Sequence, residues 1–298
     1  MKKFIISFLI LTIISSVAVS NINNQVFAHT FSGDESATFL VLLEMIKTEA
    51  HLAQQNLGTN VTLAHEHAEA TTEHLDANQT KEISERNKRV SNELNDSLTA
   101  LKNAFNSTNP PTASDIKDKV SNVDAILGEV LSVRIDKNQL NNVTVKALTI
   151  NDLVGETLEH YGEAVGHEEG NKSSESNSTT NASSSVSMGT ANSSTSEVAN
   201  SNMSQVGGNA SSSAVKIVNE AAYQTAQALS SSVVELYMDV KSKALNSTAA
   251  ENAQTGLEML KSDLDKKVPF DTIDKLIDST ITPALNSAYN LKLKMEEG

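Results

Sequence analysis

The chain reads as all-α: a helical bundle made from a duplicated three-helix unit and interrupted by a disordered Ser/Asn-rich linker. Three observations predict this. Apolar residues recur at three- and four-residue spacing, alternating β-branched and aromatic runs bounded by turns are missing, and one helical segment repeats later in the chain.

Phe39, Leu42, Leu43, Ile46, Ala50, Ala53 and Leu57 form the first apolar stripe, with Gly58 as its stop. Asn60 or Thr62 starts a second helix that runs to about Leu75. It continues, with a bend near Asp76-Ala77-Asn78, through Ile83, Val90, Leu94, Leu98, Leu101 and Phe105. Pro110-Pro111 breaks the chain, and Thr112 or Ser114 caps a third helix carrying Ile116, Val120, Val123, Leu127, Val130 and Leu131.

The repeat aligns Leu63 to Leu75 without gaps on Ile217 to Leu229. Glu66 falls on Glu220, Ala68 on Ala222, Thr71 on Thr225 and Leu75 on Leu229. Weaker likenesses extend it: Thr48 to His51 against Leu158 to Tyr161 upstream, and Leu98 to Lys102 against Leu257 to Lys261 downstream. A duplicated unit leaves such a trace, and six helices packed as one pseudo-symmetric bundle are expected.

Four stretches follow. Residues 1–28 have a basic start, an apolar run from Phe4 to Val19 and Ala28 at a cleavage position, the pattern of a signal peptide. Residues 29–170 hold the first repeat and the first helix of the second. Residues 171–213 collapse into Ser, Asn, Thr, Gly and Ala, too poor in apolar surface to fold, and form a glycosylatable linker. Residues 214–298 carry the remaining helices. The expected location is extracellular, at the cell surface or in a periplasm.

Cleavage after Ala28 removes two lysines, so a formal charge of −14 becomes −16. Such a surface repels phosphate backbones, which excludes nucleic acid as a partner, and it attracts cations. With no cysteine there is neither disulfide nor thiolate ligand, so any metal site must use His, Asp and Glu. Twelve Asn-x-Ser/Thr sequons predict glycans on an exported protein.

The chemistry concentrates in His65-Glu66-His67-Ala68-Glu69-Ala70-Thr71-Thr72-Glu73-His74, which holds three of the seven histidines on one helix. His65, Glu69 and Glu73 share one face, while His67 and His74 flank the apolar stripe. Glu49 stands at a core edge of the preceding helix with His51 nearby, and His160 and Glu163 are three apart on a later one. Imidazole and carboxylate together suit transition metals, and bundles build such sites from inward residues of several helices. A solvated acidic face is the alternative for so acidic a chain. His29 would become a copper-chelating amino terminus if cleavage follows Ala28. No nucleophile elbow, P-loop or dinucleotide fingerprint occurs, and the chain is not expected to be an enzyme.

Glu159-His160-Tyr161-Gly162-Glu163-Ala164-Val165 and Ile217-Val218-Asn219-Glu220-Ala221-Ala222-Tyr223 together resemble the extracytoplasmic helical region of the oxidase-coupled iron permease family. The resemblance implies metal-handling positions at Glu159, Tyr161, Glu220 and Tyr223, with Glu49, His51, Glu66 and Glu69 in their places in the first repeat. The permease's membrane helices are absent, and the long Ser/Asn insertion departs from the family pattern. What the resemblance implies is therefore an iron- or copper-binding protein handing metal to a membrane permease or envelope partner. The metal positions expected are Glu49, His51, His65, Glu66, His67, Glu69, His74, Glu159, His160, Glu163 and Glu220. The competing expectation is a glycosylated cell-surface interaction protein without metal.

Overall fold

In the computed structural model, residues 32–106, 111–167 and 214–291 are described. Every regular element among them is helical. The expected signal peptide, His29 and the expected linker at 171–213 lie outside the described residues.

Helix α1 (Gly33–Asn56) begins with a capping box in which Ser32 and Glu35 satisfy each other's backbone N–H, and it ends two residues before Gly58. Helix α2 (Val61–Glu73) is capped by Asn60. Where one bent helix was expected from there to Phe105, two further breaks appear, giving α3 (Ala77–Arg86) and α4 (Lys88–Phe105). The reason is local. The Asp76 and Asn87 side chains accept the backbone N–H groups of Gln79 and Val90, so each offers the chain a cap in place of helix continuation. The body is therefore more finely divided than six helices.

Thr112 caps α5 (Ala113–Arg134), and the short turn α6 (Lys137–Leu140) leads into α7 (Val143–Val165), which ends on Gly166 in the left-handed region. After the linker come α8 (Glu220–Val240), α9 (Ser247–Asp265), α10 (Phe270–Leu276) and α11 (Thr282–Tyr289). A π-helical turn, Ile277–Ile281, joins the last two. Pro283 has no N–H to continue the ladder, which accounts for the widened turn just before it. Gly256 of α9 faces that turn at a distance where a Cβ would stand 2.8 Å from the Ile281 side chain.

Two apolar cores result, and α1 is the wall between them. Phe39, Leu42, Leu43, Ile46, Ala50 and Ala53 face the core shared with Ile83, Leu94, Leu98, Ile116, Val123 and Val130. Val41 and Met45 face the other, with Ile150, Leu153, Tyr161, Leu229, Tyr237, Leu257 and Leu285. Burying each large side chain contributes roughly 1.5–3 kcal/mol. A helix buried on two sides needs apolar residues around most of its circumference, and α1 has them. The seam along α1 is where the candidate site lies.

Candidate functional site

Glu49 of α1 and His67 of α2 are 2 % and 1 % exposed, and Glu49 Oε2 stands 2.7 Å from His67 Nδ1. Helix α8 closes the pair from the other side of the linker. Thr225 donates its hydroxyl to Glu49 Oε1 at 2.7 Å, and Gln224 Oε1 lies 3.2 Å from His67 Nε2. Asn56 Nδ2 donates both to the Leu52 carbonyl at 3.0 Å and to Gln224 Oε1 at 2.6 Å.

That chain of contacts assigns the protons. The Leu52 carbonyl can only accept, which orients the Asn56 amide; Asn56 then donates to Gln224, which orients the Gln224 oxygen toward His67. Both ring nitrogens of His67 consequently face acceptors. Either the ring is an imidazolium against a Glu49 carboxylate, or one proton has moved across the 2.7 Å contact to Glu49. In both forms the buried pair is neutral overall. Breaking it from one side would strand a charge in the interior.

A pair of histidines is the opposite case. His74, just past the end of α2, and His160 of α7 meet edge to face, with ring centroids 6.5 Å apart and planes at 85°. His74 Nε2 and His160 Nδ1 are both shut off from solvent without a hydrogen-bond partner. The Glu163 carboxylate is 3.8 Å from His160 Nδ1, too far for a hydrogen bond. Burial holds the His74 ring below the usual histidine range, the nearby Glu49 opposing and His160 adding to the effect. It is therefore the neutral imidazole, with a free lone pair, that the site favours there.

Apart from Glu163, which lies 3.8 Å from His160, the remaining expected positions are not drawn together with these. His51 is exposed and pairs with Asp124 at 3.1 Å. His65 stacks on Phe105, with ring centroids 5.9 Å apart, and its Nε2 is likewise buried without a hydrogen bond. Glu69 contacts Lys102 at 2.7 Å, and the ammonium holds its carboxyl below the usual range. Glu66, Glu159, Glu163 and Glu220 are exposed. Among the described residues, no three His, Asp or Glu side chains form a ready-made metal cluster.

Tyr161 and Tyr223 have another occupation. Their hydroxyls donate to the carbonyls of Val268 at 2.5 Å and Leu264 at 3.0 Å, bracing the turn between α9 and α10. Burial pushes the Tyr161 phenol up to about 12.

Sequence reasoning missed Asn56, Gln224 and Thr225. One signal for Thr225 was present: it aligns with Thr71 in the repeat, and both are buried polar residues on an otherwise apolar face. No described helix is long and apolar enough to cross a membrane. No family model, curated protein or solved structure matches the chain.

Proposed function

We propose that the protein binds a transition metal, iron or copper, at the seam between its two cores, and carries it outside the cytoplasm. One observation supports this above others: two buried imidazole nitrogens, His74 Nε2 and His160 Nδ1, make no hydrogen bond and belong to rings that meet from distant parts of the chain. Buried nitrogens are normally hydrogen-bonded, and a neutral imidazole lone pair is the commonest metal donor in proteins. The acidic surface draws cations toward it. Glu49 and His67 stand alongside as a satisfied pair, outside the donor set. Handing metal to a membrane permease is the role that the family resemblance adds.

The test is elemental analysis after loading with iron, copper, zinc or manganese in turn. The secreted protein should retain one ion per chain, His74→Ala and His160→Ala should each lose it, and His51→Ala should keep it. No retained ion under any condition would sink the reading.

A second reading, a glycosylated surface module, draws on the sequons. Asn60, Asn142 and Asn246 are exposed helix N-caps whose Oδ1 atoms accept backbone N–H groups. A glycan is attached through Nδ2, so cap and glycan are compatible. Asn→Asp at each keeps a capping oxygen while removing the acceptor nitrogen, so loss of glycan mass without loss of stability is the expected outcome.

A further inference from the structure

Resting on the glycan reading given second above, we infer that the saccharide carried on Asn246 is held in the groove between α9 and α11, which is a carbohydrate-binding site for the protein's own glycan.

Two helices tied at both ends build the groove. At one end the Leu245 N–H donates to the Ala288 carbonyl at 2.8 Å, and Asn246 Nδ2 donates to Ser287 Oγ at 3.4 Å. At the other, Gly256 lets α9 approach Ile281 of the π-helical turn so closely that no Cβ fits between them. Between these ties lies a cavity of about 440 Å³, within the roughly 300–1,000 Å³ usual for small-molecule clefts.

The walls define the ligand class. Thr248 and Asn252 come from α9, Thr280 and Ser287 stand across from them, and the buried Ala249 and Ala284 supply an apolar floor. Every residue lining the cavity is uncharged, in a chain where 20 % of residues are charged. An ionic ligand would call for an opposite charge. Hydroxyl and amide side chains instead donate to and accept from sugar hydroxyls, while the alanine methyls meet the C–H face of a ring.

Attachment supplies the source of the saccharide. Asn246-Ser247-Thr248 is a sequon, and the Asn246 side chain is held from two sides. Its Oδ1 accepts the Ala249 N–H at 3.1 Å, and Nδ2, the atom to which a glycan is joined, is aimed across the groove at Ser287. A sugar on that nitrogen therefore starts at the groove's edge. Asn60 and Asn142 cap their helices in the same way, through the N–H groups of Leu63 and Thr144. Among the described residues, however, their Nδ2 atoms make no hydrogen bond that fixes an exit direction. Exchanging hydrogen bonds to water for hydrogen bonds to the groove is nearly balanced in free energy, so docking shows as shielding and leaves stability almost unaltered.

The experiment is hydroxyl-radical footprinting of the secreted protein beside Asn246→Asp, with glycopeptide mass spectrometry reading which sequons are occupied. Pro283 lines the cavity, whereas Leu245, 78 % exposed, adjoins the attachment point outside that lining. With the glycan present, oxidation of Pro283 should slow about threefold, as for a groove filled roughly two-thirds of the time, and Leu245 should be unaffected. Equal shielding of both residues would mean a glycan sweeping through solvent, and no shielding of Pro283 would mean an empty groove. Either result overturns the docking, as does a bare Asn246 beside occupied sequons elsewhere. A chain with no glycan at any sequon overturns the glycan reading and this inference with it. Oligosaccharide released from the wild-type protein and added at equimolar concentration to Asn246→Asp should leave Pro283 unshielded, because only attachment raises the local sugar concentration. Shielding there would make the groove a receptor for free saccharide and overturn the attached source.

Discussion

Two buried pairs, Glu49 with His67 and His74 with His160, have opposite chemistry. His67 has an acceptor at each ring nitrogen, from Glu49 and Gln224. His74 and His160 each keep a buried nitrogen with nothing to bond. His67 and His74 are seven residues apart on one short stretch, so neither composition nor helix periodicity separates them. The difference is imposed from outside α2, where α8 supplies Gln224 and Thr225 to one pair and α7 supplies a second imidazole to the other.

The largest expected effect comes from breaking the satisfied pair. Glu49→Ala removes the buried acceptor shared by His67 Nδ1 and the Thr225 hydroxyl and should destabilise the protein by about 3–5 kcal/mol in urea unfolding. A loss under about 1 kcal/mol would mean that the pair is not sealed as described. Thr225→Val deletes one hydrogen bond to the carboxylate while preserving shape, and should cost about 1.5–3 kcal/mol.

The unsatisfied pair should show itself in pH dependence rather than in a large loss. His74 has a folded value below its unfolded one, so its contribution is fully present above about pH 6.5 and is lost as pH falls toward the folded value. His74→Gln should flatten that acid limb in thermal melts. Glu44, Asp152 and Glu156 work in the other direction, because burial raises their carboxyls and the folded state gains protons as pH falls. The two trends have opposite sign, so subtracting the variant's profile from the wild-type one isolates the His74 part. A wild-type-like slope between pH 6.5 and 5.5 in the variant would remove His74 as its cause.

The smallest effect belongs to His51→Ala. Its pairing with Asp124 is solvent-exposed on both sides, so a change within about 0–1 kcal/mol is expected, together with unaltered metal retention. A large loss would place His51 in the site after all.

The helical class, the first stripe from Phe39 to Ala53 and the caps at Asn60 and Thr112 could all be read from the chain, because helix periodicity and capping act over a few residues. Glu49, His67, His74 and His160 were also legible as candidates, since ionisable groups beside an apolar stripe are visible in one dimension. The breaks at Asp76 and Asn87 were only half legible: both residues cap well, but propensity alone does not say whether a helix bends or stops.

What the tertiary structure alone decided is which of those groups is satisfied. His67 meets Gln224 across 157 positions, and Glu49 meets Thr225 across 176. A hydrogen bond depends on tenths of an ångström between helices, and no local pattern in α2 carries that information. The sequence by itself determined the helices and placed imidazoles and carboxylates along them. Packing of α1, α2, α7 and α8 determined that one imidazole has an acceptor at each ring nitrogen while two others each keep a buried nitrogen without a hydrogen bond.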